Sequence, residues 1–137
     1  MSSDLKISNN VSEMDIPLIH RFLANETYWA KGLQFGTLVK SLSNSLCFAG
    51  FVGDEQVAFG RAVTDFASFG YLKDVFVLPD YRGRGYGQAL VEAMLAQLDD
   101  EDVPTLMLAT QDAHSLYRKL GFEPVEGSVK LMRRIRT

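Results

Sequence analysis

The chain has 137 residues, 47% of them apolar and 23% charged, with a formal net charge of −3. That length suits a single domain over residues 1–137 with a real core, and the mild acidity argues against a nucleic-acid partner. No apolar run reaches the ~18 residues of a membrane span, the Met1–Asp4 start does not resemble a secretory leader, and one cysteine with two distant histidines gives neither a disulfide nor metal-ligand spacing, so the expectation is a cytoplasmic protein without metal or membrane partner.

Leu5 to Ser8 alternates apolar and polar residues and predicts a short first strand. Ser12 or Asp15 caps the first helix. Asp15 is the better candidate, because it puts Pro17 in the first turn, where a missing N–H costs little. Leu18, Ile19, Phe22 and Leu23 supply the buried stripe. Residues 25–35 read as irregular and carry Tyr28, Trp29 and Phe35; a short second helix follows over 37–42. Two apolar runs, 46–52 and 56–64, flank Gly53-Asp54-Glu55 as a hairpin, and 65–70 turn the chain into a strand over 71–78. Strands two to four therefore form an antiparallel meander.

Tyr86, Leu90, Met94 and Leu98 recur every fourth residue and predict a helix with a broad buried face. Asp99 to Asp102 reads as a solvated acidic loop. The continuous apolar run 105–109 predicts a buried strand parallel to the 71–78 strand, through a right-handed crossover. Asp112 is the expected cap of a last helix over 113–120, which Gly121 ends. Residues 122–125 and 129–135 predict a terminal pair of strands, with Lys130, Arg133, Arg134 and Arg136 on a solvated face. The fold class is α/β, a mixed sheet with helices on both faces.

The junction Arg82-Gly83-Arg84-Gly85-Tyr86-Gly87, between an apolar strand and a helix, has the chemistry of an anion site. The first turn of a helix leaves about four N–H groups without partners, at the positive end of its dipole. Glycines keep Cβ atoms out of the way and permit positive φ, and two arginines add charge, so a di- or polyphosphate is the best fit. The dinucleotide fingerprint G-x-G-x-x-G fails because Gln88 stands where its third glycine belongs, and no Gly-Lys-Ser/Thr of a P-loop occurs.

What remains, Arg82, Gly85 and Gly87 as Arg-x-x-Gly-x-Gly after Leu-Lys-Asp-Val-Phe-Val, resembles the signature of the GNAT superfamily of acetyl-CoA-dependent N-acetyltransferases. Leu116-Tyr117-Arg118-Lys119-Leu120-Gly121-Phe122 resembles that family's second motif, Leu-Tyr-x-x-x-Gly-Phe. The resemblance implies splayed central strands and acetyl-CoA as co-substrate, bound by the main chain of Phe76, Val77 and Leu78, by Arg82, Gly83, Arg84, Gly85, Tyr86 and Gly87, and by Asp112 and Tyr117. It implies an oxyanion-stabilising N–H at Val77 and Tyr117 as the acid that protonates the leaving thiolate.

Asp74 is the first candidate for general base, although Lys73 stands where polyamine-type relatives carry glutamate. Asp65 and His114 are runners-up, the latter because imidazoles titrate nearest neutrality. Tyr28, Trp29 and Phe35 could wall the acceptor, with Arg61, Asp65 and Asp74 meeting its charge. The expected reaction is acetyl transfer to a primary amine of a small molecule. Transfer to a protein or peptide amine, or a non-catalytic CoA sensor, are the alternatives. A homodimer is a family expectation.

Overall fold

The computed structural model describes residues 4–127 and 130–136. Five strands among them form one sheet in chain order: β1 (Leu5–Ser8), β2 (Leu46–Val52), β3 (Glu55–Thr64), β4 (Gly70–Val77) and β5 (Leu106–Met107). The first four are antiparallel neighbours, and β5 joins parallel to β4. The helices are α1 (Ile16–Glu26), α2 (Phe35–Leu42), α3 (Tyr86–Asp100) and α4 (His114–Lys119). Asp15 caps α1, its Oδ1 accepting the N–H of Leu18 at 3.1 Å, with Pro17 in the first turn as expected. No helix among the described residues is long and apolar enough to cross a membrane.

The sheet is buried on both faces, which is why β2 reads as apolar without alternation. Leu46 and Phe48 point to one side, where Leu90, Val91, Met94 and Leu98 of α3 are fully enclosed. Cys47 and Ala49 point to the other, against Ile19, Phe22 and Leu23 of α1 and Leu38 and Leu42 of α2. Phe22 stacks on Phe76 at 4.3 Å between ring centroids, joining α1 to β4. Each enclosed aliphatic chain of this kind contributes about 1.5–3 kcal/mol by leaving water.

One irregularity in the sheet matters for function. Phe59 pairs with Phe76 and Arg61 with Lys73, so the single residue Gly60 faces both Asp74 and Val75. This is a β-bulge, and Asp74 adopts a φ of 58° to make it. Space at Gly60 is tight: a Cβ there would stand 3.1 Å from the Met94 sulfur and 3.2 Å from Val75 Cγ2, so those side chains would have to shift by a few tenths of an ångström.

Several expectations need correction. The fifth strand is two residues long rather than five, pairing only at Gly70–Leu106 and Tyr71–Met107. Leu106 and Leu108 are half-buried against the core that α3 and α4 share, and the parallel ladder ends after Tyr71–Met107. The terminal strand pair is absent from residues 122–127 and 130–136, and Val129 lies outside the described residues. A two-residue β5 offers little ladder for a further strand to extend. Helix α2 begins at Phe35, two residues early. Ala113 rather than Asp112 caps α4, and the Ala113 N–H goes to the Thr110 hydroxyl at 3.0 Å.

Burial of Cys47 has a chemical consequence. Desolvation, opposed by the nearby Arg61 charge, pushes its thiol up to about 11. At pH 8 a thiol held there is about one part in a thousand thiolate. Iodoacetamide at pH 8 should therefore leave the native protein unmodified for hours and label it rapidly in denaturant, as read by intact mass.

Candidate active site

The strand–turn–helix junction presents a run of backbone N–H groups without protein acceptors among the described residues. After β4, Pro79–Tyr81 forms a single 3-10 turn, and the chain enters α3 through Gly83 and Gly85 with φ of 79° and 82°. A Cβ would meet nothing within 4 Å at either glycine, so it is their left-handed backbone that needs glycine there. Gly85 stands at the N-cap of α3 and its carbonyl accepts the Ala89 N–H at 3.0 Å. Among the described residues no acceptor takes the N–H groups of Gly83 to Gln88. Alternating positive φ turns such amides into one concavity, at the positive end of the helix dipole. Arg82 and Arg84 flank it. Arg82 Nε donates to the Val77 carbonyl at 2.9 Å, and Arg84 lies over the Tyr81 ring at 5.1 Å.

The pairing of β4 decides which of its backbone groups are available. Leu78 gives its N–H to the Val57 carbonyl at 2.8 Å, so the residues flanking Val77 turn their backbone toward β3. Val77 itself turns toward the gap left by β5, with its carbonyl held by Arg82 and its N–H open. Of Phe76, Val77 and Leu78, the sequence reading therefore retains only Val77 as a gap-facing donor; the Phe76 side chain is a core residue.

Between β4 and residues 108–113 lies a cavity of about 440 Å³. Tyr28 and Trp29 wall one side, Lys73, Asp74 and Val75 come from the bulge, and Tyr117 faces in from α4. Tyr117 is 8% exposed, and its hydroxyl has no hydrogen-bond partner among the described residues. Burial, and secondarily the Asp112 charge, raise its pKa above the ordinary phenol value. The phenol thus stays protonated through the neutral range, as a proton donor must.

Asp74 is 7% exposed and fully engaged. Its Oδ2 accepts from Arg61 Nε at 2.7 Å and its Oδ1 from the Trp29 indole N–H at 3.0 Å. Arg61 also donates to the Ser45 hydroxyl at 2.9 Å. Trp29 is placed by a local device that sequence periodicity does not display. Thr27 closes back onto the Leu23 carbonyl at 2.7 Å and accepts the Ala30 N–H at 3.2 Å, fixing the turn that carries the indole.

The remaining candidates are scattered. Asp65 is exposed in the β3–β4 turn, where its carboxylate takes the Ser68 hydroxyl and the N–H groups of Ser68, Ala67 and Phe69. Those bonds, the Ser68 hydroxyl first, hold its carboxyl far below the usual carboxylate range, which suits a turn and not a base. His114 is exposed at the start of α4 and does not line the cavity, and Phe35 packs edge-on to His20 at 5.3 Å away from it. Asp112 lines the cavity beside Tyr117.

A family model described as the acetyltransferase (GNAT) domain matches residues 43–124. A crystal structure from Xanthomonas campestris pv. campestris, of a protein described as belonging to the GNAT family, is 45% identical, covers 96% of this chain and 93% of its own, and superposes with a TM-score of 0.90. Histone acetyltransferase TAP1 of Glycine max is 34% identical over 107 residues, 75% of this chain and 46% of its own length. The chain thus spans less than half of that curated relative. A Mycobacterium tuberculosis protein crystallised with CoA shares the fold at a TM-score of 0.75 and 20% identity, covering 89% of this chain and 74% of its own.

Because Arg61 is buried, Asp74→Ala leaves a guanidinium without its counter-charge. The loss should be about 3 kcal/mol of unfolding free energy by urea titration, the low end for a broken buried pair because Ser45 still holds Arg61. Adding Arg61→Met should recover part of that loss.

Proposed function

The chain belongs to the GNAT acetyltransferase family, and from that premise we propose that it transfers an acetyl group from acetyl-CoA to a primary amine of a small-molecule acceptor, by direct attack in a ternary complex. The observation that carries this reading is the set of donors without partners among the described residues at the C-terminal end of β4 and the start of α3, the amides of 83–88 and the N–H of Val77, together with the phenol of Tyr117 in the cavity beside β4. The pyrophosphate of CoA would lie on the open amides between Arg82 and Gly87, beside the two arginines. The acyl-pantetheine arm would follow the unpaired side of β4 as an added strand does.

Attack of the free amine on the thioester carbonyl forms the C–N bond and puts charge on oxygen, which the Val77 N–H can stabilise by about 3–4 kcal/mol, as single donors do in comparable sites. Collapse breaks the C–S bond, and the thiolate takes the Tyr117 proton. The proton lost by the attacking nitrogen passes to water in the open cavity, and water returns one to the Tyr117 phenolate, which restores the acid for the next turnover. Asp74 holds Arg61 and Trp29 with its two oxygens, so its assigned role here is to position the indole wall rather than to accept that proton. An acceptor amine on a protein is the second reading, favoured by the name of the soybean relative.

Calorimetry should show acetyl-CoA binding that Gly85→Val weakens tenfold or more, because valine resists the left-handed backbone. Absence of any heat with millimolar acetyl-CoA would retire the reading. Tyr117→Phe should slow acetylation of any accepted amine at least tenfold while leaving CoA affinity intact. The Tyr117-dependent fall in rate should come at higher pH than an ordinary phenol would give, since burial and the Asp112 charge delay proton loss. A pH–rate profile compared with that of Asp112→Asn, in which the fall moves to lower pH, checks the sign.

A further inference from the structure

Behind the Trp29–Asp74 hydrogen bond is a second cavity, of about 280 Å³. Trp29, Lys73 and Asp74 line both spaces, so the indole and carboxylate form their common wall. The charge of the second cavity is one-sided. Lys31, Arg61 and Lys73 face it with only one carboxylate, Asp74, which Arg61 already pairs. Among the described residues neither lysine forms an ion pair.

The Arg61 side chain is 10% exposed, with Nε on Asp74 and Nη1 on Ser45. Its Nη2 has no hydrogen-bond partner among the described residues. No fully enclosed side-chain nitrogen or oxygen there lacks one, so Nη2 keeps an open face, and this cavity is the space beside it. Thr37, in the first turn of α2, adds a hydroxyl with no partner among the described residues. A largely buried guanidinium with an unused donor, two unpaired ammonium groups and a hydroxyl are the groups that hold an anion.

We propose that the acceptor is an amine that also carries an anionic group, a carboxylate or a phosphate, seated in this second cavity against Arg61, Lys31 and Lys73. Its amine reaches past Trp29 into the first cavity, where the thioester is attacked. This rests on the acetyl-transfer reading and adds the substrate class to it. A polycationic amine would set like charges together here, and the discrimination against it comes from that repulsion.

The test is steady-state kinetics at saturating acetyl-CoA, reading released thiol, over matched pairs: α-amino acids with their amides, β-alanine with propylamine, phosphoethanolamine with ethanolamine, and spermidine. An anion-bearing member should exceed its uncharged-tail twin in kcat/KM by tenfold or more, and the ratio should shrink as salt rises. Whether carboxylates or phosphates show it identifies the anion. Lys31→Gln and Lys73→Gln, both at exposed positions, should each cut that ratio two- to fivefold, and together bring it near one. The proposal is overturned if neutral or polycationic amines are the best acceptors. It is equally overturned if the lysine variants move all acceptors alike, or if acetyl-CoA binds and no anion-bearing amine is acetylated. Failure of acetyl-CoA to bind at all would remove the acetyl-transfer reading itself, and this proposal with it.

Discussion

The arrangement of the site depends on a mismatch of one residue between two strands. Gly60 on β3 is opposed by both Asp74 and Val75 on β4, and the parallel ladder to β5 ends at Tyr71, three residues before that extra residue. A left-handed backbone at a non-glycine residue costs about 1–3 kcal/mol and persists only where its surroundings fix it. Here the surroundings are the Arg61 guanidinium and the Trp29 indole, each bound to one oxygen of the same Asp74. The bulge therefore sits at the gap, and its carboxylate ties down one wall of it.

Two kinds of positive potential meet around that gap. At the α3 end it comes from backbone amides that no protein acceptor takes, made possible by left-handed Gly83 and Gly85. At the α2 end it comes from side chains, with Arg61 half engaged and Lys31 and Lys73 unpaired among the described residues. In the proposed reading the amides would take a diphosphate, because their donors are fixed and close together. The side-chain cluster fits a smaller anion because its one fixed donor group, the guanidinium, is already half used. Tyr117 stands across the first cavity from the bulge, with a phenol that burial keeps protonated.

Signals that act within one turn or one strand were legible in the chain. Pro17 after Asp15, the fourfold recurrence from Tyr86 to Leu98, and the positive φ at Gly83 and Gly85 each depend on neighbours a few residues away, and the structure places these as read, whereas Gly87 lies inside α3 with ordinary helical φ. Residues 105–109 pair only at Leu106 and Met107, and Val125, Leu131, Met132 and Ile135 are exposed outside any strand, because an apolar run says nothing of whether a strand edge is free to pair. Asp65 and His114 carry suitable chemistry, but the chain puts one in a turn and the other on the outer end of α4. Asp112 missed its cap yet lines the cavity beside Tyr117.

By itself the sequence determined the meander, the left-handed glycine turn and the long helix that follows it, because local backbone preferences and motif spacing are sufficient for each. Tertiary structure alone decided that Asp74 would be held by Arg61, Trp29 and a one-residue bulge rather than left free as a base. It also decided that Lys31, Arg61 and Lys73, from three separate segments, would converge on one cavity. Such outcomes turn on strand register and on side chains 13 to 45 positions apart meeting in a buried space, and no local pattern carries that information.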